Sequence, residues 1–204
     1  MKKQVFYVHG GDGFNSQEDY LKYLKTAPIW DLPNQPTTPS WKRSLAAELG
    51  PDYEVFMPAM PNRNNADYLE WQLWFERHFT YLNDGVILIG GSLGGMFLAK
   101  YLSEKTPPFQ IAKLFLLAAP GGQYPQQSDG NDCRSFRFSA NAAQNIVKCA
   151  NKVEIWHSKD DQVVPVSEAE WYKTHVSGAK VRLFSDKNHF LVAELPEIVE
   201  AIES

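Results

Sequence analysis

Short apolar runs alternate with amphipathic segments along almost the whole chain. Six runs rich in β-branched and aromatic residues predict strands at residues 5–8, 53–57, 86–89, 113–118, 153–156 and 181–184. Apolar positions with helical spacing predict helices at residues 41–49, 66–82, 93–103, 140–150, 168–175 and 196–202. Near-continuous apolar strands separated by helices are typical of a parallel sheet that is covered on both faces. The pattern therefore predicts a single α/β domain over residues 1–204, a three-layer sandwich with a mostly parallel sheet of about six strands.

Local signals set several of the predicted helix boundaries. Gly50 and Pro51 should end the helix over residues 41–49, because glycine accepts a left-handed cap and proline cannot continue a helix. Ser167 and Glu170 have the spacing of a capping box at the start of a helix. Pro196 suits the first turn of the last helix.

Two stretches, residues 10–40 and 120–139, fit no simple helix or strand pattern. The first concentrates four prolines in its second half, and the second is polar and contains glycine. Both follow the carboxyl ends of predicted strands, where open α/β sheets bind their ligands. We expect them to be loops that line a pocket.

The run at residues 90–94 carries the most specific chemical signal. It reads G-x-S-x-G, with Ser92 in the middle, directly after an apolar strand and directly before a helical pattern. This context predicts a nucleophile elbow, in which a tight strand-to-helix turn presents the serine hydroxyl at the edge of the sheet. The N–H of Leu93, at the start of the helix, would then face negative charge that forms beside Ser92.

An acid and a base follow Ser92 along the chain, each just beyond a predicted strand. Asp161 is the preferred acid and its neighbour Asp160 the alternative, while His189 is the preferred base. The order serine, aspartate, histidine is one of the known orders of a catalytic triad. The competing bases are the other four histidines, His9, His78, His157 and His175.

Several motifs resemble those of the α/β-hydrolases, and more narrowly the small hydrolases related to the retinoblastoma-binding protein 9 family. These motifs are the strand and glycine-rich loop at residues 5–11, Trp41, the turn at residues 58–62, and D-x-x-x-P at residues 161–165. The resemblance covers nearly the whole chain and implies a hydrolase with a Ser-Asp-His triad. Two departures stand out: residues 10–40 are longer than usual, and Gly91 replaces a histidine common in relatives, which should loosen the elbow.

The remaining site predictions concern the oxyanion hole and the substrate pocket. A second oxyanion donor should come from the loop after the first strand, with Gly11 preferred and Gly10 second. The candidate pocket walls are Trp30, Trp41, Met60 and Tyr124. No large helical insertion follows residues 113–118, so we expect an open site that accepts short acyl chains.

Composition narrows the possible partners. A net charge of −4 without a cluster of lysine or arginine argues against nucleic acid or an anionic membrane as partner. Two cysteines outside any metal-like spacing are expected to be reduced thiols. No apolar run is long enough for a signal peptide or a membrane span, so we expect a cytoplasmic protein, as a monomer or weak homodimer.

These features predict a serine hydrolase that cleaves small carboxylic esters or thioesters, with no metal or organic cofactor. The alternative is a protein-interaction module on a hydrolase scaffold, because a fold does not determine a function. A dinucleotide site after the first strand is disfavoured, since Ser16 stands where that fingerprint needs glycine or alanine.

Overall fold

The computed structural model describes residues 2–29, 39–128 and 130–204. Its centre is one six-stranded sheet in the order β2-β1-β3-β4-β5-β6, with every neighbouring pair parallel. The predicted parallel sheet is confirmed. The strands are β1 (Lys3–Val8), β2 (Tyr53–Phe56), β3 (Val86–Gly91), β4 (Ile111–Leu117), β5 (Ala150–Ser158) and β6 (Lys180–Phe184).

Eight α-helical segments surround the sheet in the described ranges. They are α1 (Gln17–Leu24), α2 (Trp41–Leu49), α3 (Tyr68–Arg77), α4 (Leu93–Glu104), α5 (Ala140–Ala143), α6 (Ile146–Cys149), α7 (Ser167–His175) and α8 (Pro196–Glu203). Two short 3-10 helices, Phe79–Tyr81 and Arg134–Phe136, supplement them. In this part of the chain no helix is long and apolar enough to cross a membrane.

The two faces of the sheet have separate apolar cores. One core lies under α2 and α8, where Trp41, Leu45 and Ile198 pack against Val5 and Ile87. The other lies under α3 and α4 and is rich in aromatic rings. The central strands β1, β3 and β4 are largely buried, which explains why their sequences are nearly continuous apolar runs rather than alternating ones.

The boundary signals had mixed outcomes. Gly50 ends α2 with φ of 74°, and Pro196 occupies the first turn of α8, as predicted. The predicted capping box is wrong. Ser167 is already helical, the helix has no side-chain cap, and Glu170 pairs with Lys173 at 3.3 Å.

The prediction of a structureless loop over residues 10–40 is wrong at α1. Ser16 caps this helix by accepting a hydrogen bond from the Asp19 N–H at 3.1 Å, and Lys22 pairs with Glu18 at 3.0 Å. None of the residues of α1 is buried. Tyr20, Leu21, Tyr23 and Leu24 do have helical spacing, but eight residues are too short a window for this pattern to identify a helix.

Two predicted helices are shorter than expected. The pattern over residues 66–82 becomes α3 followed by a 3-10 turn, and the pattern over 140–150 divides into the single turns α5 and α6. The Asn145 N–H bonds to the Ala142 carbonyl and so interrupts the second helix. Strand β5 begins at Ala150, three residues earlier than its apolar run.

Because all six strands are parallel, their carboxyl ends lie at one edge of the sheet. The residues that follow β1, β3, β5 and β6 at this edge include Gly10, Ser92, Asp161 and His189. The topology therefore brings the predicted site residues to the same end of the molecule.

Candidate active site

Ser92 lies at the turn between β3 and α4 in a conformation that is rare for a residue with a side chain. Its φ is 54° and its ψ is −126°. The turn is fixed by three backbone hydrogen bonds, from the Ser92 N–H to Leu117 and from the Gly95 and Met96 N–H groups to the Ser92 carbonyl. A strained serine between a buried strand and a helix is the geometry of a nucleophile elbow.

The glycines of this turn are explained by close backbone contacts. A Cβ atom on Gly94 would collide with the carbonyl oxygens of Val8 and His9 at the end of β1, and one on Gly90 would lie 2.6 Å from the Gly95 Cα. Any side chain at these positions would push α4 away from the sheet. The two glycines of G-x-S-x-G therefore allow the helix to begin directly against the neighbouring strand.

The expectation that Gly91 loosens the elbow is wrong. The Tyr7 hydroxyl lies 2.7 Å from the position that a Cβ on Gly91 would take. Tyr7 is buried and extends from β1, the strand beside β3. Its ring fills the space that a larger residue 91 would need, so the turn is packed rather than bare.

His189 and Asp161 are in direct contact. The distance between His189 Nδ1 and Asp161 Oδ2 is 2.8 Å, and the Asp161 side chain is completely buried. Its other oxygen accepts hydrogen bonds from the N–H groups of Val163 and Val164 at 2.7 and 3.0 Å. Burial raises the pKa of Asp161, but the bonds from His189 and from these two N–H groups outweigh it and lower the pKa overall. Asp161 is therefore an ionised acceptor for the His189 ring.

Asp160 has a different position from Asp161 and holds the loop that carries His189. Its carboxylate accepts a hydrogen bond from the Ser158 hydroxyl and another from the Asn188 N–H at 3.0 Å. The Ser158 oxygen also accepts from the Lys187 N–H at 3.1 Å. The Asn188 backbone is in the left-handed region, with φ of 49°, which asparagine adopts more readily than most residues with a side chain.

Trp41, the first residue of α2, binds the same loop although it lies 149 residues earlier in the sequence. Its ring N–H donates to the Phe190 carbonyl at 3.0 Å, and its backbone N–H donates to the Val192 carbonyl at 3.2 Å. Phe190 also has a positive φ, of 52°. Trp41 was expected as a pocket wall, but it is fully buried, so its contacts assign it to support of the loop.

Among the described residues, the other four histidines form no hydrogen bond or ion pair with a carboxylate. His78 and His175 each place Nδ1 2.8 Å from a carbonyl one turn earlier in their own helix. His9 has both ring nitrogens engaged: Nε2 accepts from the Met60 N–H at 2.8 Å, which leaves the proton on Nδ1 to donate to the Gly10 carbonyl at 2.6 Å. Its pKa is lowered mainly by burial, so this arrangement suits the neutral ring.

His157, the last of the four, is completely buried at the end of β5, and in the described part of the chain neither ring nitrogen makes a well-formed hydrogen bond, although the Ala119 backbone acts on the ring. Burial lowers the pKa of His157 to about 4, and this effect exceeds the opposing attraction of Asp161. The neutral form is therefore favoured in the folded protein, whereas the unfolded chain binds a proton near pH 6.5.

This difference predicts a specific loss of stability in acid. As the pH falls from 6.5 to 4, the unfolded state takes up a proton that the folded state does not, so the free energy of unfolding should fall by about 3 kcal/mol from this residue. Urea unfolding of the wild type and His157→Gln at pH 7, 6, 5 and 4 measures it. The variant should have the shallower dependence on pH, and parallel curves would contradict the prediction.

The predicted oxyanion donors lie close to Ser92. A Cβ on Gly10 would be 3.0 Å from the Ser92 Cβ and 3.5 Å from its Oγ, which places this loop directly over the serine. Gly11 packs against the Arg63 carbonyl and the Trp71 ring. Among the described residues, the N–H groups of Gly10, Gly11 and Leu93 donate to no acceptor in the loop and turn bonds. These contacts alone do not choose between Gly10 and Gly11.

The three remaining predicted pocket walls, after Trp41, have different positions. Met60 is buried beside His9 and lines an open, polar cavity of about 1190 Å³ between the loops after β1 and β2. Tyr124 is buried, and its hydroxyl donates to the Val163 carbonyl at 3.2 Å, next to the Asp161 turn. Trp30 lies outside the described residues. The assignment of these three to a substrate pocket stays a prediction.

The order and direction of the strands, with helices on both faces, define the α/β-hydrolase fold, as the similar solved structures show. The family model described as serine hydrolase matches residues 34–198, about four fifths of the chain. The protein therefore belongs to the serine hydrolase family and is a hydrolase. No curated protein matches the chain.

Three similar structures illustrate the fold. The ydeN gene product of B. subtilis has 19% identity and a TM-score of 0.70, with 99% of this chain and 97% of that one covered. A putative yden-like hydrolase from Pectobacterium atrosepticum has 14% identity and a TM-score of 0.63, covering 99% and 91%. An esterase from Exiguobacterium antarcticum has 16% identity and a TM-score of 0.58, covering 99% and 92%. At these identities the similarity establishes the fold alone.

Proposed function

We propose that this serine hydrolase cleaves small carboxylic esters or thioesters through an acyl-enzyme, with Ser92 as nucleophile, His189 as base and Asp161 as the acid that orients it. The observation that carries the proposal is the 2.8 Å contact between His189 Nδ1 and buried Asp161, at the sheet edge where Ser92 turns into α4. A serine hydroxyl is a weak nucleophile until a positioned base accepts its proton.

The proposed reaction assigns one task to each group. Ionised Asp161 keeps the proton of His189 on Nδ1, so Nε2 is free to accept the Ser92 proton as Oγ attacks the carbonyl carbon. The developing oxyanion is stabilised by the Leu93 N–H together with that of Gly11 or Gly10. His189 then returns the proton to the leaving group, and water hydrolyses the acyl-enzyme with His189 again as base.

The proposed substrates are small molecules with short acyl chains. In the described part of the segment between β4 and α5, the helical content is a single 3-10 turn, Arg134–Phe136. Such a segment is too small to form a helical lid over the serine. We further propose that the protein acts as a monomer or weak homodimer, because the groups assigned to the reaction all come from one chain.

A covalent probe and an ester series test the proposed function. A fluorophosphonate should label the folded protein at one site, and mass spectrometry of the digested adduct should locate it on Ser92. In a series of 4-nitrophenyl esters from acetate to decanoate, the esters with the shortest acyl chains should be hydrolysed fastest. Hydrolysis confined to long chains would contradict the open site. A folded protein that is neither labelled nor active on any ester, and that binds one protein at a fixed stoichiometry, would favour the interaction module.

A further inference from the structure

His9 directly follows β1 and connects two loops at the edge of the sheet where Ser92 lies. Its Nε2 accepts the N–H of Met60, on the loop after β2, at 2.8 Å, and its Nδ1 lies 2.6 Å from the Gly10 carbonyl oxygen. Because Nε2 is an acceptor, the neutral ring carries its proton on Nδ1 and donates it to Gly10. The ring has no task in the proposed proton transfers.

The orientation of the His9 ring is fixed by its neighbours. It packs edge-on against the ring of Trp71, with 5.8 Å between the ring centres. Trp71 is completely buried, and its ring N–H donates to the Pro61 carbonyl at 2.8 Å, next to Met60. With both nitrogens bonded and one side packed against a fixed ring, the imidazole is not free to rotate.

The bond from His9 to the Gly10 carbonyl sets the direction of the next N–H, that of Gly11. The peptide bond between the two glycines is trans, and in a planar trans unit the carbonyl and the following N–H point in opposite directions. The carbonyl points to a ring that is bound to the loop after β2. In the sheet, β2 and β3 lie on opposite sides of β1, and Ser92 follows β3. The Gly11 N–H is therefore directed toward the side of Ser92.

The neighbouring N–H, that of Gly10, points elsewhere. It shares a peptide unit with the His9 carbonyl, whose oxygen lies 2.5 Å from the position that a Cβ on Gly94 would take, on the first turn of α4. Because this carbonyl faces α4, the Gly10 N–H in the same trans unit is directed away from α4 and from the serine before it. Of the two candidate donors in this loop, the directions favour Gly11.

The Gly11 N–H needs such a restraint because side chains cannot supply one. A Cβ on Gly11 would collide with the Arg63 carbonyl oxygen, and one on Gly10 would lie 3.0 Å from the Ser92 Cβ. The peptide unit between two glycines turns over easily, since no Cβ limits the backbone angles. An oxyanion donor is effective only when its direction is fixed before the reaction.

We propose that His9 is a positioning residue of the oxyanion hole. Through the Gly10 carbonyl it holds the Gly11 N–H as the second donor, beside that of Leu93. The inference rests on the proposed function, because the oxyanion belongs to that reaction. His9 acts through a peptide unit and contacts no reacting atom.

Two substitutions that both remove the ring separate this role from packing. Asparagine places its amide N–H near the position of Nδ1 and can still donate to Gly10, whereas glutamine extends to the position of Nε2 and can bond only to Met60. His9→Gln should therefore lower kcat for 4-nitrophenyl acetate about a hundredfold, the size of losing one oxyanion donor, with KM within about threefold. His9→Asn should keep kcat within about fivefold of the wild type, because its donor to Gly10 remains.

A trifluoromethyl ketone gives a second readout of the same donors. Ser92 Oγ adds to its carbonyl carbon and the serine proton passes to His189, so the ketone oxygen becomes an anion. Its inhibition constant should rise in His9→Gln by about the factor by which kcat falls. The matched control is His78→Gln, at a histidine whose Nδ1 also lies 2.8 Å from a backbone carbonyl, and it should change neither quantity more than about twofold.

Nitrogen NMR of the wild type tests the hydrogen bonds without any variant. With the histidine rings assigned through the backbone resonances, the neutral His9 ring should carry its proton on Nδ1 and none on Nε2. A proton on Nε2 would overturn the proposal even if neither variant folds.

The kinetic outcomes separate this inference from the proposed function. Equal losses in His9→Asn and His9→Gln would reduce His9 to a packing role, and full activity in His9→Gln would leave it without a role; either result overturns the inference while the wild type still cleaves the ester. A folded wild type that cleaves no ester and does not bind the ketone would overturn the proposed function and this inference with it.

Discussion

The Ser92→Ala protein should lose about 10⁵- to 10⁶-fold in kcat for short 4-nitrophenyl esters, a loss typical of removing the nucleophile from a serine triad. Without the Ser92 oxygen no acyl-enzyme forms, and only binding and the oxyanion donors still act on the substrate. Steady-state hydrolysis with active-site titration measures the loss. Labelling by a fluorophosphonate should disappear in parallel.

Ser103→Ala is the matched control for this substitution. Ser103 is a buried serine on α4, the same helix that begins at the elbow, and its hydroxyl donates to the Lys100 carbonyl at 2.8 Å. Its replacement removes the same atom near the opposite end of the helix that Ser92 precedes, and it should leave kcat within about twofold, since changes away from the site have small effects. Ser92→Ala protein that folds and retains a tenth of the activity would exclude Ser92 as the nucleophile.

The centre of the sheet could be predicted because β1, β3 and most of β4 are buried, so each leaves a nearly continuous apolar run, whereas the more exposed edge strands β2 and β6 are recognised by their β-branched and aromatic residues. The elbow could be predicted because its glycines are required by close backbone contacts, as the collision at Gly94 shows. Helix α1 was missed although Tyr20, Leu21, Tyr23 and Leu24 have helical spacing, because the helix has only eight residues and none of them is buried in the core. The capping box was wrong because α7 begins at Ser167, one residue earlier than predicted, so Ser167 lies inside the helix rather than before it.

The supports of the candidate site could not be predicted from local patterns. Trp41 bonds to Phe190 across 149 residues, and Tyr7 fills the space at Gly91 from a neighbouring strand. The preference for Asp161 over Asp160 came from a motif of five residues. The structure adds the physical difference between the two carboxylates: one contacts the His189 ring, and the other holds the backbone of its loop.

This difference makes Asp161→Asn the sharpest test of the proposed acid, with an expected loss of about 10⁴-fold in kcat. The amide has nearly the same shape as the carboxylate, but it carries no charge to stabilise the protonated His189 ring. It also offers an N–H toward Nδ1, which places the ring proton on Nε2, where it blocks proton transfer from Ser92. The change in kcat is measured with the same esters, and circular dichroism checks that the fold is kept.

Asp160→Asn is the matched control for Asp161→Asn, because it makes the same change from carboxylate to amide at the neighbouring residue. Its remaining oxygen can still accept the Asn188 N–H, and its contact is with the loop rather than with the His189 ring. We expect Asp160→Asn to lower kcat less than tenfold. It should lower the free energy of unfolding more than Asp161→Asn does, because the turn at Asn188, which has a positive φ, loses part of its support. If Asp160→Asn instead lost 10⁴-fold while Asp161→Asn stayed active, the two roles would be exchanged and the contact between Asp161 and His189 would have no part in the reaction.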